Sequence, residues 1–352
     1  MDDLAYFPSG TQTYVGCLAS GLRVRWYERR PEASRGPGQT PTVLCLHGFP
    51  ELAVSWREQL GELSDHYRVV APDMRGYGRS SVYARHEDYS QENAVRDMIE
   101  LLDGLSGDNA IWVGHDWGAP VAWNVASHHP DRCLAVAALC VPYATIERGL
   151  DHVIALADRS LYPEDQFPAA QWEYMRYYEE NFDDATRPMD ANPRNMIRAL
   201  FRKGSPEGMG KPAATAFIRK QGWFGGLPEA PEVPIDEDVI TEEELDVFAG
   251  ALSRNGFFGP NSWYMNHERD AEYSKTACNE GILEMPALFL GARYDYVCET
   301  VTSRLAEPMR AMCKNLTEAV VDSGHWMAQE KPYDVNREMV KWLVREVPLP
   351  GD

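Results

Sequence analysis

Long apolar runs are missing from this chain, and so is any excess of positive charge. No stretch approaches the roughly 20 apolar residues that a membrane-spanning helix needs. Lysine and arginine together number 34 against 54 aspartates and glutamates, so the formal net charge is −20. So acidic a surface repels phosphate backbones and anionic lipid head groups. We therefore expect neither nucleic acid nor a membrane as a partner.

Cysteine pairs with metal-binding or redox spacing are missing as well. The seven cysteines are scattered, and none forms a C-x-x-C motif. Several lie inside apolar runs, where a cysteine behaves as a small hydrophobic residue. The first residues, M-D-D-L, do not show the basic stretch and apolar run of a signal peptide. We expect reduced thiols and a cytoplasmic location.

Short apolar runs do occur, and they alternate with segments of helical length. They are expected to be buried strands, at residues 42–46, 68–71, 110–113, 134–141, 287–290 and 319–321. The helices are expected at about 51–65, 91–106, 118–128 and 333–346, and a hairpin at 12–28. Near-continuous apolar strands separated by helices are typical of an α/β fold, with a mostly parallel sheet covered on both faces.

The pattern changes between residues 143 and 282. This region is rich in aromatic residues, charges and helix formers, and it has no strong strand signal. Thr241, followed by three glutamates, is a good N-cap with acids in the first helical turn. The sequence therefore predicts a core domain made of residues 1–142 and 283–352, interrupted by a helical cap at 143–282.

The motif G-H-D-W-G at residues 114–118 lies between an expected strand and an expected helix. Small residues at both ends allow a sharp strand-to-helix turn that exposes the middle side chain, Asp116, at the end of the sheet. A carboxylate that attacks an ester or amide would give an unfavourable mixed anhydride. Displacement at saturated carbon leaves a stable alkyl ester. Asp116 is thus a candidate nucleophile, although a simple helix N-cap is the alternative interpretation.

Hydrolysis of such an ester requires a base and a group that orients it. His325 follows the last expected strand, and Asp295 follows the strand before it. The carboxyl ends of parallel strands are where ligands bind in open α/β sheets. The order nucleophile, acid, base along the chain matches that of α/β-hydrolases. We therefore predict that Asp116, Asp295 and His325 act together.

A third element is H-G-F-P at residues 47–50, directly after the first apolar strand. A backbone N–H in this turn can point at the carbonyl oxygen of the nucleophile. The N–H groups of Phe49 and Trp117 would then form an oxyanion hole for the tetrahedral intermediate.

Together these motifs resemble the epoxide hydrolases of the α/β-hydrolase superfamily, over nearly the whole chain. The matching motifs are H-G-F-P at 47–50, D-M-R-G-Y-G-R-S at 73–80, G-H-D-W-G at 114–118, the strand end at Asp295 and G-H-W at 324–326. The resemblance implies an α/β-hydrolase fold with a helical cap. Haloalkane and haloacetate dehalogenases have the same core motifs, so the core alone leaves the substrate open.

The resemblance also implies two cap tyrosines that donate a proton as the epoxide ring opens. A phenol has an ordinary pKa of about 10 and stays protonated at neutral pH. Tyr264 lies in N-S-W-Y-M-N at 261–266, which departs from the family pattern at Ser262 and at Met265, where the family often has arginine. In E-Y-M-R-Y-Y at 173–178 we choose Tyr174 as the second tyrosine, over Tyr177 and Tyr178.

The predicted function is hydrolysis of epoxides to vicinal diols through an ester on Asp116. His47, Trp172 and Tyr177 are the expected substrate-binding residues. A small-molecule epoxide is the expected partner, with no metal and no organic cofactor, and assembly into a homo-oligomer stays open. Two alternatives remain at this point: a haloalkane dehalogenase with the same catalytic residues, and a non-catalytic binding protein of the same fold.

Overall fold

A mixed sheet of eight strands forms the centre of the fold. The computed structural model describes residues 3–32, 40–105 and 107–347. The strands are β1 (Gln12–Cys17), β2 (Arg23–Arg29), β3 (Thr42–Leu46), β4 (Arg68–Pro72), β5 (Ala110–His115), β6 (Cys133–Leu139), β7 (Leu283–Ala292) and β8 (Cys313–Val321). Their order is β1-β2-β4-β3-β5-β6-β7-β8. The pairs β1–β2 and β2–β4 are antiparallel and the other five pairs are parallel, which confirms the predicted, mostly parallel α/β sheet.

The central strands β3 and β5 are buried along their whole length. They pair in parallel, with Leu46 beside Gly114, so the H-G-F-P turn and the G-H-D-W-G motif leave the sheet side by side. β7 and β8 run in the same direction and end at Ala292 and Val321. The segments after all four strands therefore meet at one edge of the sheet, where ligands bind in such folds.

Fourteen α-helices accompany the sheet in the described part of the chain. They are α1 (Arg57–Leu63), α2 (Gln91–Gly104), α3 (Gly118–His128), α4 (Leu150–Ile154), α5 (Glu173–Glu180), α6 (Phe182–Ala191), α7 (Pro193–Leu200), α8 (Ile218–Gln221), α9 (Glu242–Asn255), α10 (Phe258–Ser262), α11 (His267–Ser274), α12 (Glu307–Met312), α13 (Met327–Glu330) and α14 (Pro332–Glu346). Short 3-10 turns include Ala53–Trp56, His86–Tyr89, Ile146–Arg148, Ala170–Trp172 and Trp263–Met265.

Eight of these helices, α4 to α11, lie between β6 and β7. Every residue from 140 to 282 is described, and none of them belongs to a strand. We call residues 143–282 the helical segment. Its helix α9 begins with the predicted N-cap residue, Thr241. The Thr241 hydroxyl accepts the Glu244 N–H, and the Glu244 carboxylate accepts the Thr241 N–H. This reciprocal arrangement satisfies two N–H groups that the first turn of a helix leaves free.

Polar contacts fix the helical segment to the sheet half of the molecule. The Asp270 carboxyl on α11 accepts the Gln91 N–H at the start of α2, at 2.8 Å. The Trp326 indole N–H donates to the Leu200 carbonyl at the end of α7, also at 2.8 Å. Arg57 forms a 2.6 Å ion pair with Glu244. The helical segment thus lies over the edge of the sheet where the strands end.

The structure departs from the expected elements in three places. The helix expected at 51–65 is split into a 3-10 turn and α1. β8 begins six residues earlier than the apolar run at 319–321. It is the outermost strand of the sheet, so most of its first residues are exposed or half-buried and the sequence shows no apolar run there. The helix α12 was not expected at all. Among the described residues, no helix combines the length and the apolar character needed to cross a membrane.

Candidate active site

Asp116 sits at the tip of a strained turn between β5 and α3. Its φ angle is +49°, a left-handed conformation that residues other than glycine rarely adopt. The glycines on either side permit the turn: a Cβ on Gly114 would lie 2.2 Å from the Gly118 carbonyl oxygen, and one on Gly118 would lie 2.1 Å from the Leu46 carbonyl oxygen. The turn holds the carboxylate out at the edge of the sheet.

The Asp116 carboxylate has a different partner for each oxygen. Oδ1 accepts the Phe49 N–H at 2.6 Å, and Oδ2 lies 3.3 Å from Nε2 of His325. These partners come from the segments after β3 and β8, so the parallel sheet brings together residues that lie far apart in sequence. The carboxylate is held between a backbone donor and a titratable base.

His325 is in turn held by Asp295. Its Nδ1 lies 2.6 Å from Oδ2 of Asp295, whose Oδ1 accepts the N–H groups of Val297 and Cys298 at 3.0 Å each. Burial favours the neutral carboxyl, but the charge of His325 and these hydrogen bonds outweigh it and lower the pKa of Asp295. Asp295 is therefore ionised at neutral pH and fixes the orientation of the imidazole.

The same contacts set the charge of His325. Burial disfavours the imidazolium, but the charge of Asp295 and the hydrogen bonds to Asp116 and Asp295 outweigh it, so the pKa of His325 lies well above its ordinary value. Two carboxylates thus flank one imidazole. Loss of the charge on Asp116 would remove one of the contacts that raise this pKa.

The two expected oxyanion donors also lie close together. The Phe49 N–H already points at Oδ1 of Asp116. Gly48 allows this approach, since a Cβ at that position would be 2.3 Å from Oδ1 and 2.5 Å from the Trp117 nitrogen. The amide nitrogens of Phe49 and Trp117 therefore flank the Asp116 side chain, where charge would develop on an oxygen of its carboxyl group.

A largely apolar cavity of about 220 Å³ opens onto Asp116 and His325. Its walls come from the sheet edge and from the helical segment. Among the aromatic and aliphatic side chains that line it are Phe49, Trp117, Pro120, Val141, Ile146, Val153, Trp172, Leu200, Trp223 and Leu305. An apolar cavity with a few convergent polar groups is the usual form of a small-molecule site.

Tyr174 and Tyr264, the two tyrosines proposed from the sequence as proton donors, both line this cavity. Their rings are in edge contact, with centroids 5.6 Å apart. Burial is the main cause that raises the pKa of both phenols well above 10, and the nearby charge of Asp116 adds to it. Both phenols are thus protonated over the physiological pH range. Tyr178 lies beneath Tyr264 and stacks on it, with centroids 4.8 Å apart.

The three expected substrate-binding residues occupy different environments. Trp172 lines the cavity. His47 and Tyr177 are not among the residues lining it. The ring nitrogens of His47 are engaged by the Gly48 carbonyl at 3.0 Å and the Met74 N–H at 2.9 Å, so the buried ring shapes the turn after β3 instead. Tyr177 lies on a half-buried face of α5, near Gly222.

The sequence does not predict a buried pair beside the site, formed by Glu51 and His115. Nδ1 of His115 lies 2.8 Å from Glu51, and Nε2 lies 2.8 Å from the backbone carbonyl of His325. Burial opposes both charges, yet mutual attraction lowers the pKa of Glu51 to about 2 and raises that of His115 to about 10. Glu51 also accepts the Gly48 N–H, so the pair links the end of β5 to the segments after β3 and β8. The one available signal was the acid directly after H-G-F-P.

Comparisons with known proteins agree with this geometry. The family model described as the alpha/beta hydrolase fold matches residues 41–332. Epoxide hydrolase A of Mycobacterium tuberculosis is 35% identical over 332 residues, which cover 92% of this chain and 95% of the relative. The mouse bifunctional epoxide hydrolase 2 is 31% identical, and the match covers 89% of this chain and 53% of that longer protein.

Solved structures give the same result. The crystal structure of epoxide hydrolase A from Mycobacterium thermoresistibile has a TM-score of 0.77 and 32% identity, covering 95% of this chain and 98% of that one. An epoxide hydrolase from an endophytic Streptomyces has a TM-score of 0.76 and 30% identity, with 96% of both chains covered. The fold, the extent of these matches and the identity agree, so this chain belongs to the epoxide hydrolases of the α/β-hydrolase fold family.

Proposed function

We propose that this enzyme opens epoxides by covalent catalysis on Asp116 and releases vicinal diols. The observation that carries the proposal is the position of the Asp116 carboxylate, with one oxygen on the Phe49 N–H and the other beside His325. The cavity that it faces also contains the protonated phenols of Tyr174 and Tyr264. A nucleophile, a base and two acids thus surround one apolar space.

In the first step, the two phenols hold the epoxide oxygen and Asp116 attacks a ring carbon. A bond forms between a carboxylate oxygen and that carbon, while the carbon–oxygen bond of the ring breaks. The leaving alkoxide takes a proton from one tyrosine, because a phenol hydrogen bond stabilises the charge as it develops. The product is a hydroxyalkyl ester of Asp116.

Before the second step, His325 gives up the proton that its raised pKa holds in the resting enzyme, and this proton passes through solvent to the tyrosinate. His325 then takes a proton from water, and the resulting hydroxide attacks the ester carbonyl. The ester has neutralised Asp116, which removes one contact that kept the pKa of His325 high and favours its action as a base. The N–H groups of Phe49 and Trp117 stabilise the oxyanion. The tetrahedral intermediate then collapses: the bond between the Asp116 carbonyl carbon and the diol oxygen breaks, the alkoxide takes the proton of the new carboxyl group, and the diol leaves. Asp116 is again a carboxylate, and His325 again carries the proton of the resting enzyme.

We further propose that residues 143–282 act as a cap domain on a core made of residues 1–142 and 283–352. The cavity walls support this division, because Asp116 and His325 follow core strands while Tyr174 and Tyr264 belong to the helical segment. The cap would then supply the acids and the core would supply the nucleophile and the base.

The seven cysteines are all free thiols, although two of them are exposed. Exposed thiols persist best where the surroundings are reducing. This supports the proposal that the enzyme works in the cytoplasm.

A single turnover in oxygen-18 water tests the covalent step. Enzyme in excess over styrene oxide should give a first diol that carries unlabelled oxygen from Asp116, while the label enters the Asp116 carboxylate. Mass spectrometry of the diol and of the peptide containing Asp116 measures both. If every molecule of the first diol instead carries one oxygen-18 atom, the proposal is contradicted, and direct attack of water on the epoxide is favoured.

The two alternative functions, a haloalkane dehalogenase and a binding protein, predict different experimental results. A haloalkane dehalogenase would turn over 1-bromoalkanes well and epoxides poorly, since a halide needs no proton donor. The two phenols in the cavity favour an epoxide, whose oxygen does need one. A binding protein without activity would show no covalent adduct by intact mass spectrometry after it is mixed with an epoxide.

A further inference from the structure

A thiol lies in the wall of the cavity, beside the residues that hold the base. Cys298 is half-buried and lines the cavity together with His325. Ligand atoms of Asp295, Cys298 and His325 all lie within 4.8 Å of one another. Carboxylate oxygen, thiolate sulfur and imidazole nitrogen are the three donor types that zinc proteins use most. Nothing in the proposed hydrolysis of epoxides requires the sulfur.

The position of Cys298 is fixed by the backbone. Its N–H donates to Oδ1 of Asp295 at 3.0 Å, as does the N–H of Val297, so the turn after β7 wraps around the carboxylate. The thiol and the carboxylate therefore belong to one rigid turn, and only His325 comes from another segment. Two of the three donors therefore come from the same turn.

A second group of donors shares His325 but is less suitable. It consists of His115, Cys140 and His325. Both ring nitrogens of His115 are engaged, by Glu51 and by the His325 carbonyl. The Cys140 thiol is completely buried and donates to the same carbonyl, at 3.3 Å. An ion there would have to break this network, whereas Cys298 can be reached from the cavity.

We propose that Asp295, Cys298 and His325 form an inhibitory site for a thiophilic, tetrahedral divalent cation such as Zn²⁺. The ion would enter through the cavity, form bonds to the sulfur, to a carboxylate oxygen and to Nδ1 of His325, and release both the thiol proton and the Nδ1 proton to solvent. A water in the cavity would complete the tetrahedron. Hard cations such as Mg²⁺, which prefer six oxygen ligands, would not bind there.

Little movement is needed to admit the ion. Bonds of about 2 Å at tetrahedral angles hold two ligand atoms about 3.3 Å apart. The Asp295–His325 contact is now 2.6 Å, so the imidazole has to move by less than about 1 Å. The His325 side chain is 20% exposed, toward the cavity, which leaves it room to move. Once bound to the ion, this imidazole could no longer accept a proton from water.

The inhibition, but not the binding, rests on the proposed role of His325, so binding and activity are measured separately. Binding is followed by equilibrium dialysis with Zn²⁺ and by the absorption of bound Co²⁺, whose thiolate charge-transfer band reports a sulfur ligand. Activity is followed as diol formation from styrene oxide, with and without Zn²⁺, and again after addition of EDTA. Mg²⁺ serves as the control cation.

Three cysteine variants make the test specific. We expect Cys298→Ser to weaken Zn²⁺ binding by at least about tenfold and to remove the Co²⁺ thiolate band. Cys17→Ser, at an exposed position on β1, should behave like the wild type. Cys140→Ser should keep the band too. The site is disproved if Cys298→Ser retains the band and the affinity, or if only Cys140→Ser loses them.

The activity data then separate the two proposals. Zn²⁺ should inhibit the wild type reversibly and inhibit Cys298→Ser at least about tenfold less strongly. If Zn²⁺ binds through Cys298 and the bound enzyme still turns over epoxide at full rate, the metal site stands and the role of His325 as base is wrong. If Zn²⁺ does not bind while the oxygen-18 experiment succeeds, only the metal site is wrong.

Discussion

Tyr174 and Tyr177 both lie on α5, three residues apart, but they face different surroundings. Tyr174 is buried in the cavity wall, whereas Tyr177 lies half-buried outside it. We expect Tyr174→Phe to slow epoxide turnover by roughly 10²-fold, since Tyr264 remains to donate a proton. Tyr177→Phe is the matched control and should keep the wild-type kcat. Equal rates for the two variants would show that Tyr174 is only a packing residue.

In the proposed mechanism His325 acts as a base only in the second step, so its loss should trap the intermediate. In His325→Gln, Asp116 can still attack the epoxide, but no base activates water for hydrolysis of the ester. Intact mass spectrometry should then show an enzyme heavier by the mass of one substrate molecule. The adduct should be absent from Asp116→Ala. If His325→Gln turns over without any adduct, the base is another residue.

Single residues also show how far the sequence could be interpreted. Asp116, Asp295 and His325 were predictable because each follows a strand, and parallel strands end at one edge of the sheet. The role of His47 was not predictable, since it depends on hydrogen bonds to Gly48 and to Met74, which is distant in sequence. Pairs such as Glu51 and His115 are fixed by packing, which leaves no periodic pattern in the sequence.

At the scale of elements, the turn after β3 controls how closely two backbone segments approach. Gly48 lies against Asp116, and a Cβ there would be 2.3 Å from Oδ1. We expect Gly48→Ala to displace the Phe49 N–H from the carboxylate and to lower kcat by roughly 10²–10³-fold, as loss of an oxyanion donor does. Steady-state kinetics with styrene oxide measures the change.

The control for this prediction is Gly104→Ala, at the exposed end of α2. A Cβ at Gly104 would meet no atom within 4 Å. That variant should keep the wild-type kcat, and alanine in a helix should, if anything, stabilise the protein slightly. If Gly48→Ala keeps full activity and its thermal unfolding midpoint is unchanged, the Phe49 N–H has no role in catalysis.

Elements were predictable where they are buried and apolar. The helix α3 coincides with the expected 118–128, because it follows a buried strand and a glycine and ends before a proline. β8 was only partly predicted, since most of its residues are exposed at the sheet edge and so lack a continuous apolar run. The short helix α12 carries two methionines among two charged residues, a proline and an alanine, and nothing in that stretch distinguishes a helix from a loop.

At the scale of the whole molecule, the helical segment must stay attached to the sheet half for the cavity to exist. One attachment is the buried Asp270 carboxyl on α11, which accepts the Gln91 N–H at the start of α2. Burial is the main cause that raises the pKa of Asp270 to about 8, although that hydrogen bond and the charge of Arg269 oppose the rise. The carboxyl is therefore largely protonated in the folded protein at neutral pH.

This attachment links the free energy of unfolding to pH. An unfolded aspartate ionises near pH 3.9, whereas Asp270 in the folded protein keeps its proton until about pH 8. Between these values the folded state binds more protons, so its stability falls as pH rises, by at most about 1.4 kcal/mol per pH unit from this group. Asp270→Asn retains an oxygen that can accept the Gln91 N–H but cannot ionise. We expect its unfolding free energy to fall less between pH 5 and pH 8 than that of the wild type.

Urea denaturation at pH 5, 6, 7 and 8 measures this difference, because all other titrating groups are common to both proteins. Asp238→Asn is the control: its carboxyl is exposed and paired with Lys203, and that contact lowers its pKa rather than raising it. The control should keep the pH dependence of the wild type. If Asp270→Asn also keeps it, Asp270 is ionised in the folded protein, and the attachment of α11 to α2 must then include a buried negative charge.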